Sequence, residues 1–213
     1  MVKGKNLISA VATSVLAGAL SASAYAFVDG PNPNEVYVNN IVHAGTGCPI
    51  GSVATDISED AKAFTILFDE YVAEAGPGIE RSAGRKFCQL TVNLHVPQGW
   101  SYTIFDVNYA GFADLDRGTY GIQKSTYYFQ GNRASNGVTL STRLRGPYSD
   151  DYEIRDSLGL DALIWSPCGV NRALNIKTSV MTQASRNQSA LMTIDSIDGE
   201  LIHRYGIKWK RCR

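Results

Sequence analysis

From Cys88 to Val96 apolar and polar side chains alternate one for one, with Leu90, Val92, Leu94 and Val96 interleaved with Gln89, Thr91, Asn93 and His95. Successive side chains of a strand point to opposite faces, so this stretch predicts a β-strand with one buried and one polar face. Pro97-Gln98-Gly99 reads as a turn, after which Ser101 to Tyr109 resumes the period with Thr103, Phe105, Val107 and Tyr109 on one face and Tyr102, Ile104, Asp106 and Asn108 on the other. The pair predicts a hairpin. Shorter runs rich in β-branched and aromatic residues, bounded by turn signals, predict further strands. They fall at Ala63 to Phe68, Gly118 to Lys124, Ser125 to Gln130, Gly137 to Leu144, Asp161 to Ile164, Leu174 to Met181 and Leu191 to Ile197. Leu201 to Lys210 completes the series, with Ile207 and Trp209 opposite Lys208 and Lys210, and is expected to close a sheet. Ser58-Glu59-Asp60-Ala61 could cap a helix, but Thr65, Ile66 and Gly76-Pro77-Gly78 cut it short, so the window is read as strand then loop. The pattern predicts an all-β fold, an antiparallel β-sandwich of Ig-like or jelly-roll-like type, in a single domain without internal repeats.

The amino terminus follows a different pattern. Lys3 and Lys5 precede an apolar and small-residue stretch from Leu7 to Leu20, and Ala24-Tyr25-Ala26 has the small-x-small form of a cleavage site. Residues 1–26 are therefore read as a signal peptide, 27–44 as a Pro/Asn-rich arm and 45–213 as the exported domain. Fourteen apolar residues fall short of the roughly 20 that cross a bilayer, and no later run approaches that length, so no membrane span is expected. Export of this kind predicts an extracellular protein of 187 residues. Removing Lys3 and Lys5 leaves 18 basic against 20 acidic side chains, a net charge of −2. That balance, with 44% hydrophobic residues, excludes a disordered chain and a polybasic nucleic-acid-binding tail.

An oxidising destination changes the meaning of the cysteines. Cys48, Cys88, Cys168 and Cys212 are even in number and contain no C-x-x-C unit, so two disulfides are expected. Of three connectivities the favoured one joins Cys48 to Cys88 and Cys168 to Cys212, two separate clamps of about 40 residues, each contributing about 4 kcal/mol in the chain-entropy model. Gly45-Thr46-Gly47-Cys48-Pro49-Ile50-Gly51 has the glycines of a phosphate-binding loop, but the third comes one residue late and Pro49 stands where a helix would begin. It reads as a disulfide-anchored turn.

Several motifs nearby resemble those of a known family. Gly45 to Pro49, Cys88-Gln89-Leu90 with Leu94-His95 and Pro97-Gln98-Gly99, Ser125 to Phe129, Arg145-Gly146-Pro147-Tyr148, Trp165 to Gly169, and the closing Tyr205-Gly206-Ile207-x-Trp209-x-x-Cys212 carry the likeness. They resemble a family of small secreted four-cysteine proteins from fungi, oomycetes and bacteria, catalogued as domain of unknown function 4360. The resemblance runs from about Asn39 to Cys212, implies an exported, disulfide-bonded single domain, and brings no activity with it.

Catalytic chemistry finds little support. There is no G-x-S-x-G elbow and no H-E-x-x-H unit, and His43, His95 and His203 are scattered, so no catalytic residue, metal site or cofactor is expected. Asp106, Asp114, Asp116, Asp150, Asp151 and Glu153 leave open a carboxylate pair for glycan cleavage. Asp114-x-Asp116 and Asp150-Asp151-x-Glu153 raise a calcium loop without the pattern of one. Asn187-Gln188-Ser189 is an N-glycosylation sequon, of use only in a eukaryotic producer.

Aromatic residues give the stronger binding signal. Nine lie between Trp100 and Phe129, and alternation can bury only one face of each strand. If Phe105 and Tyr109 point inward, Tyr102 points out, and Tyr127 and Tyr128 face opposite ways. Flat rings with polar tips suit sugar stacking or a protein partner. Trp100, Tyr102, Tyr120, Tyr127 and Tyr128 are the candidate ligand-binding residues. The leading expectation is an exported non-catalytic domain that binds an extracellular glycan, cell-wall polymer or partner protein. The alternatives are a secreted hydrolase with a carboxylate pair, and a secreted inhibitor or effector.

Overall fold

The computed structural model describes residues 30–61, 63–157, 164–168, 173–185, 187–194 and 201–212. The leader, and all but Ile164 of the strand expected at Asp161 to Ile164, lie outside them. Twelve strands are described: β1 (Tyr37–Ala44), β2 (Val53–Ile57), β3 (Ala63–Phe68), β4 (Val72–Ala75), β5 (Arg85–His95), β6 (Trp100–Leu115), β7 (Tyr120–Phe129), β8 (Val138–Arg145), β9 (Tyr148–Ser157), β10 (Leu174–Gln183), β11 (Ala190–Thr193) and β12 (Leu201–Arg211). No helix among the described residues is long and apolar enough to cross a membrane.

The strands make two antiparallel sheets. One runs β1-β5-β10-β7-β8, and the other β2-β3-β12-β6-β11-β4 with β9 on the free side of β6. Their inner faces meet in one core. Tyr102 of β6 lies edge-on to Phe129 of β7, with ring centroids 5.2 Å apart. Tyr109 of β6 and Tyr127 of β7 share a buried hydrogen bond, and the Tyr71 hydroxyl bonds Thr178 Oγ1 of β10 at 2.8 Å. The chain is thus an all-β sandwich.

β5 keeps the alternation read from the sequence: Cys88, Leu90, Val92 and Leu94 are buried while the intervening residues reach solvent. The hairpin does not form. β5 pairs with β1 and β10, whereas β6 pairs with β12, β9 and β11, so Pro97-Gln98-Gly99 carries the chain from one sheet to the other. Gly99 adopts a φ of 85°, as a tight turn of either kind requires.

The expected facing of β6 fails in an instructive way. Tyr102 and Tyr109 are both buried, though seven residues apart. Opposite β12, the pairing runs Tyr205↔Val107 and then Ile207↔Ile104, so β6 carries one extra residue there. Such a bulge reverses which face the following side chains occupy. Ser101 and Thr103, on the outward side, are buried too, because they donate to the carbonyls of Ser166 and Ile164 in the segment that crosses over them.

Three other expectations change. The two short strands expected at 118–124 and 125–130 are one strand, β7, whose inner face is Gly121, Gln123, Ser125, Tyr127 and Phe129. Gly121 stands there because Met192 of the opposite sheet occupies the space, where a Cβ would lie 2.5 Å from its sulfur, and the buried Gln123 amide donates to the Ser125 hydroxyl at 2.9 Å. β12 lies between β3 and β6 rather than at an edge, with Ile207 and Trp209 inward. The acidic run Asp150-Asp151-x-Glu153 belongs to β9, where Tyr152 and Ile154 point into the core, Asp151 and Glu153 point out, and Asp150, on the row of Tyr152, is exposed near the start of the strand.

Burial raises the phenols of Tyr71 and Tyr102 above the ordinary value of 10.0, and the Thr178 hydrogen bond offsets part of that rise at Tyr71. The unfolded chain releases both protons near pH 10 while the folded chain retains them. Stability is therefore whole below pH 10 and falls as pH rises, by up to about 1.4 kcal/mol per pH unit for each tyrosine. Urea midpoints at pH 9, 10 and 11 should drop steeply over the last step, and Tyr71→Phe should weaken that dependence. A flat midpoint would contradict the burial of both hydroxyls.

Candidate functional site

The outer face of the five-stranded sheet has an unusual composition. Its strands contain Arg85, Lys86, Lys124, Arg143, Arg145 and Lys177 and not one Asp or Glu. The chain as a whole carries 20 acidic against 20 basic side chains, so its carboxylates stand elsewhere, eight of them on the strands of the other sheet. Lys86 sits on the inward-facing rows. The remaining five cations of this sheet project outward by the period of their strands.

Near the middle of this face lies a groove of about 730 Å³. Arg81, Arg85, Phe87, Lys124 and Lys177 line it together with Ser and Thr hydroxyls, and no carboxylate does. Phe87 is 41% exposed, large for a phenylalanine on a sheet. Its place is set from both sides. The next residue, Cys88, is bridged to Cys48, the Phe87 carbonyl accepts from the Gly47 amide at 2.9 Å, and its amide donates to Thr46 Oγ1. Gly45 allows this close approach: with φ at 152°, any Cβ there would meet the Phe87 carbonyl oxygen at 2.1 Å. The glycine-rich turn therefore works as the brace of the groove floor.

Register supplies the rest. Phe87 pairs with Ser179, which pairs with Lys124, and Lys177 pairs with Thr126, so Lys124 and Lys177 are diagonal neighbours about 7–8 Å apart at the backbone. Arg81 comes from the turn between β4 and β5. On its far side, Arg81 and Arg85 also border a second hollow of about 430 Å³, lined by Glu74 and Glu80. The Glu80 carboxylate accepts from the Ser82 hydroxyl at 3.2 Å.

Beyond the groove the same face turns neutral. Asn93 donates to Asn40 at 2.7 Å, and Thr91 to Asn175 at 2.8 Å. Tyr37, 49% exposed, stacks on His95 with ring centroids 4.6 Å apart. His43, opposite Leu90, is on the inward row and bonds the Cys48 carbonyl, so His43 and His95 do not converge. Among the described residues no group of His, Cys, Asp and Glu could hold a metal ion.

The five aromatic residues singled out by the sequence are distributed unevenly. Tyr102 and Tyr127 are core residues. Trp100 lies on the seven-stranded sheet with the Arg211 guanidinium 5.1 Å above its ring. Tyr120 and Tyr128 are on the outer face of β7, half-buried, at opposite ends of the row that holds Lys124 and Thr126. Arg143 covers the Tyr120 ring at 4.5 Å. Phe87 was missed, although extending the Cys88–Val96 alternation back by one residue places it on the polar face. Arg81, Arg85, Lys124 and Lys177 carry no local signal, since three strands and a turn bring them together. The bridges join Cys48 to Cys88 and Cys168 to Cys212. Asn187 of the sequon is exposed in the connection from β10 to β11.

Residues 34–212 match a protein family described as a domain of unknown function, DUF4360. An uncharacterized secreted protein of Arthroderma benhamiae is 38% identical over 185 residues, which cover 86% of this chain and 75% of that protein. Among solved structures, TmCBM61 in complex with β-1,4-galactotriose aligns at 12% identity and a TM-score of 0.25, over 88% of this chain and 98% of that one. The enzymatically active domain of tailspike protein 4 from bacteriophage CBA120 aligns at 13% identity and a TM-score of 0.25, over 80% of this chain and 20% of that one.

Proposed function

The chain belongs to the DUF4360 family, and we propose that it is an exported, non-catalytic domain that binds an extracellular glycan along the outer face of its five-stranded sheet. One observation carries this reading: an exposed ring, Phe87, sits in an open groove among hydroxyls and Arg and Lys donors. Sugars present apolar C–H faces and a fringe of hydroxyls, so a ring edged by hydrogen-bonding groups matches both parts. The candidate leader, the two disulfides and the secreted name of the Arthroderma relative support export.

Pull-down of the oxidised mature chain, residues 27–213, on a panel of cell-wall polysaccharides should retain it on at least one. Phe87→Ala should lower that affinity about tenfold or more, the loss of one stacked aromatic anchor. Retention on no polysaccharide, at millimolar sugar, would sink the reading. The hydrolase alternative has its footing in Glu74 and Glu80, which border the neighbouring hollow. New reducing ends released by the wild-type chain and not by Glu74→Gln/Glu80→Gln would favour it instead.

A further inference from the structure

We infer that the glycan this face takes is acidic, a carboxylate-bearing polysaccharide such as a polyuronate, read by Arg81, Arg85, Lys124 and Lys177. The inference rests on the glycan reading above and adds the charge of the ligand to it. Its ground is the separation of charge across the sandwich. The five strands of this sheet hold six Lys and Arg and no acidic residue. With 20 acidic residues in a mature chain of 187, an even spread would place about five carboxylates there. Strands on a solvated face ordinarily mix both signs, which favours solubility and cross-strand pairing. Here the cations stand unmixed on their strands, and the surface keeps a positive field in a chain whose 20 basic and 20 acidic side chains balance.

Geometry favours a linear polymer over a single small anion. The four cations do not converge on a point. Lys124 and Lys177 stand about 7–8 Å apart on neighbouring strands, Arg85 lies one strand to the other side of Lys177's strand, and Arg81 rises from the turn beyond. Arg143 and Arg145 of β8 prolong the strip past the groove. Spaced charges of this kind meet a repeated anion, while Phe87 between them offers a face for the sugar ring itself. Arginine suits a carboxylate because its planar fork donates two parallel hydrogen bonds. A polyuronate combines both features, a carboxylate at each residue and a stackable ring.

The decisive comparison uses one backbone in two charge states. Polygalacturonate and its fully methyl-esterified form would be titrated into the oxidised mature chain by calorimetry, beside neutral galactan and single-stranded DNA. The acid form should bind, the ester at least about tenfold more weakly, and affinity for the acid should fall between 50 and 500 mM salt. Lys124→Glu/Lys177→Glu should weaken binding of the acid about 30-fold while leaving the thermal midpoint in place, since both side chains are exposed. Equal binding of acid and ester, or tighter binding of neutral galactan, would overturn the charge assignment and leave the glycan reading standing. DNA binding as tight as polygalacturonate would overturn it as well, by showing an unselective cation surface. No binding of any polysaccharide would overturn both.

Discussion

Tyr102→Ala is expected to cost about 3–5 kcal/mol of stability, the range for removing a buried aromatic ring, and to leave glycan affinity of the folded molecules unchanged. Tyr102 is only 3% exposed. Its ring is edge-on to Phe129 across the sandwich and tilted against Trp209 at 5.8 Å, and the Trp209 indole donates to the Ala61 carbonyl at 3.1 Å. Truncation opens a cavity where both sheets and the loop before β3 meet, a site with little freedom to collapse because two of its walls are other rings. Phe87→Ala is the counterpart. That ring is 41% exposed, so its removal should lower stability by no more than about 0.5 kcal/mol while lowering glycan affinity about tenfold or more. Urea denaturation of both variants, with calorimetric titration of a retained polysaccharide, separates the two roles. Loss of binding by Tyr102→Ala at a stability cost under about 1 kcal/mol would place Tyr102 on the binding surface after all.

The contrast between these two rings shows where sequence reasoning stops. Period two is a local rule, and it described β5 and the end of β12 correctly because nothing interrupts those stretches. In β6 one extra residue opposite β12 exchanged the faces, and the partner that creates the bulge lies about a hundred residues away. The turn Pro97-Gln98-Gly99 has the chemistry of a hairpin and serves as a crossing between sheets. That choice belongs to the partners of β5 and β6, not to the turn. β7 is one strand where two were expected, and its inner row of Gly121, Gln123 and Ser125 does not look like a core face because Met192 fills the space at Gly121 from the opposite sheet. The groove was illegible for the same reason: Arg81 and Lys177 become neighbours only through the order β5-β10-β7. What could have been seen earlier is the absence of acidic residues in those strands, once the strands were grouped by sheet.

Breaking the two disulfides should have unequal consequences. Cys48 and Cys88 are 1% and 0% exposed, within the core, and close a 40-residue separation. Cys168 is exposed and Cys212 partly so, at the end of β12, and they close a separation of 44. Loop entropy alone is nearly equal for the two, about 4 kcal/mol each, so any difference must come from the native side. Cys48→Ala/Cys88→Ala removes buried sulfur contacts as well as the cross-link, and frees the Gly45–Cys48 turn that braces Phe87. It should therefore cost about 4–6 kcal/mol and abolish glycan binding even below the unfolding transition. Cys168→Ser/Cys212→Ser loses the cross-link at the surface. There the Cys212 amide still donates to the Gly99 carbonyl at 2.8 Å, and Ser166 still caps Tyr102 and Ser101. The cost should stay at or below about 4 kcal/mol, with glycan affinity retained. The same asymmetry predicts the order of reduction: under limiting dithiothreitol at neutral pH, alkylation should label Cys168 and Cys212 first, and Cys48 and Cys88 only as the chain unfolds. Peptide mapping of the alkylated protein reads that order directly. Early labelling of Cys48 would mean that the turn beneath the groove opens on its own, and the groove floor would then be a mobile element and not a preformed platform.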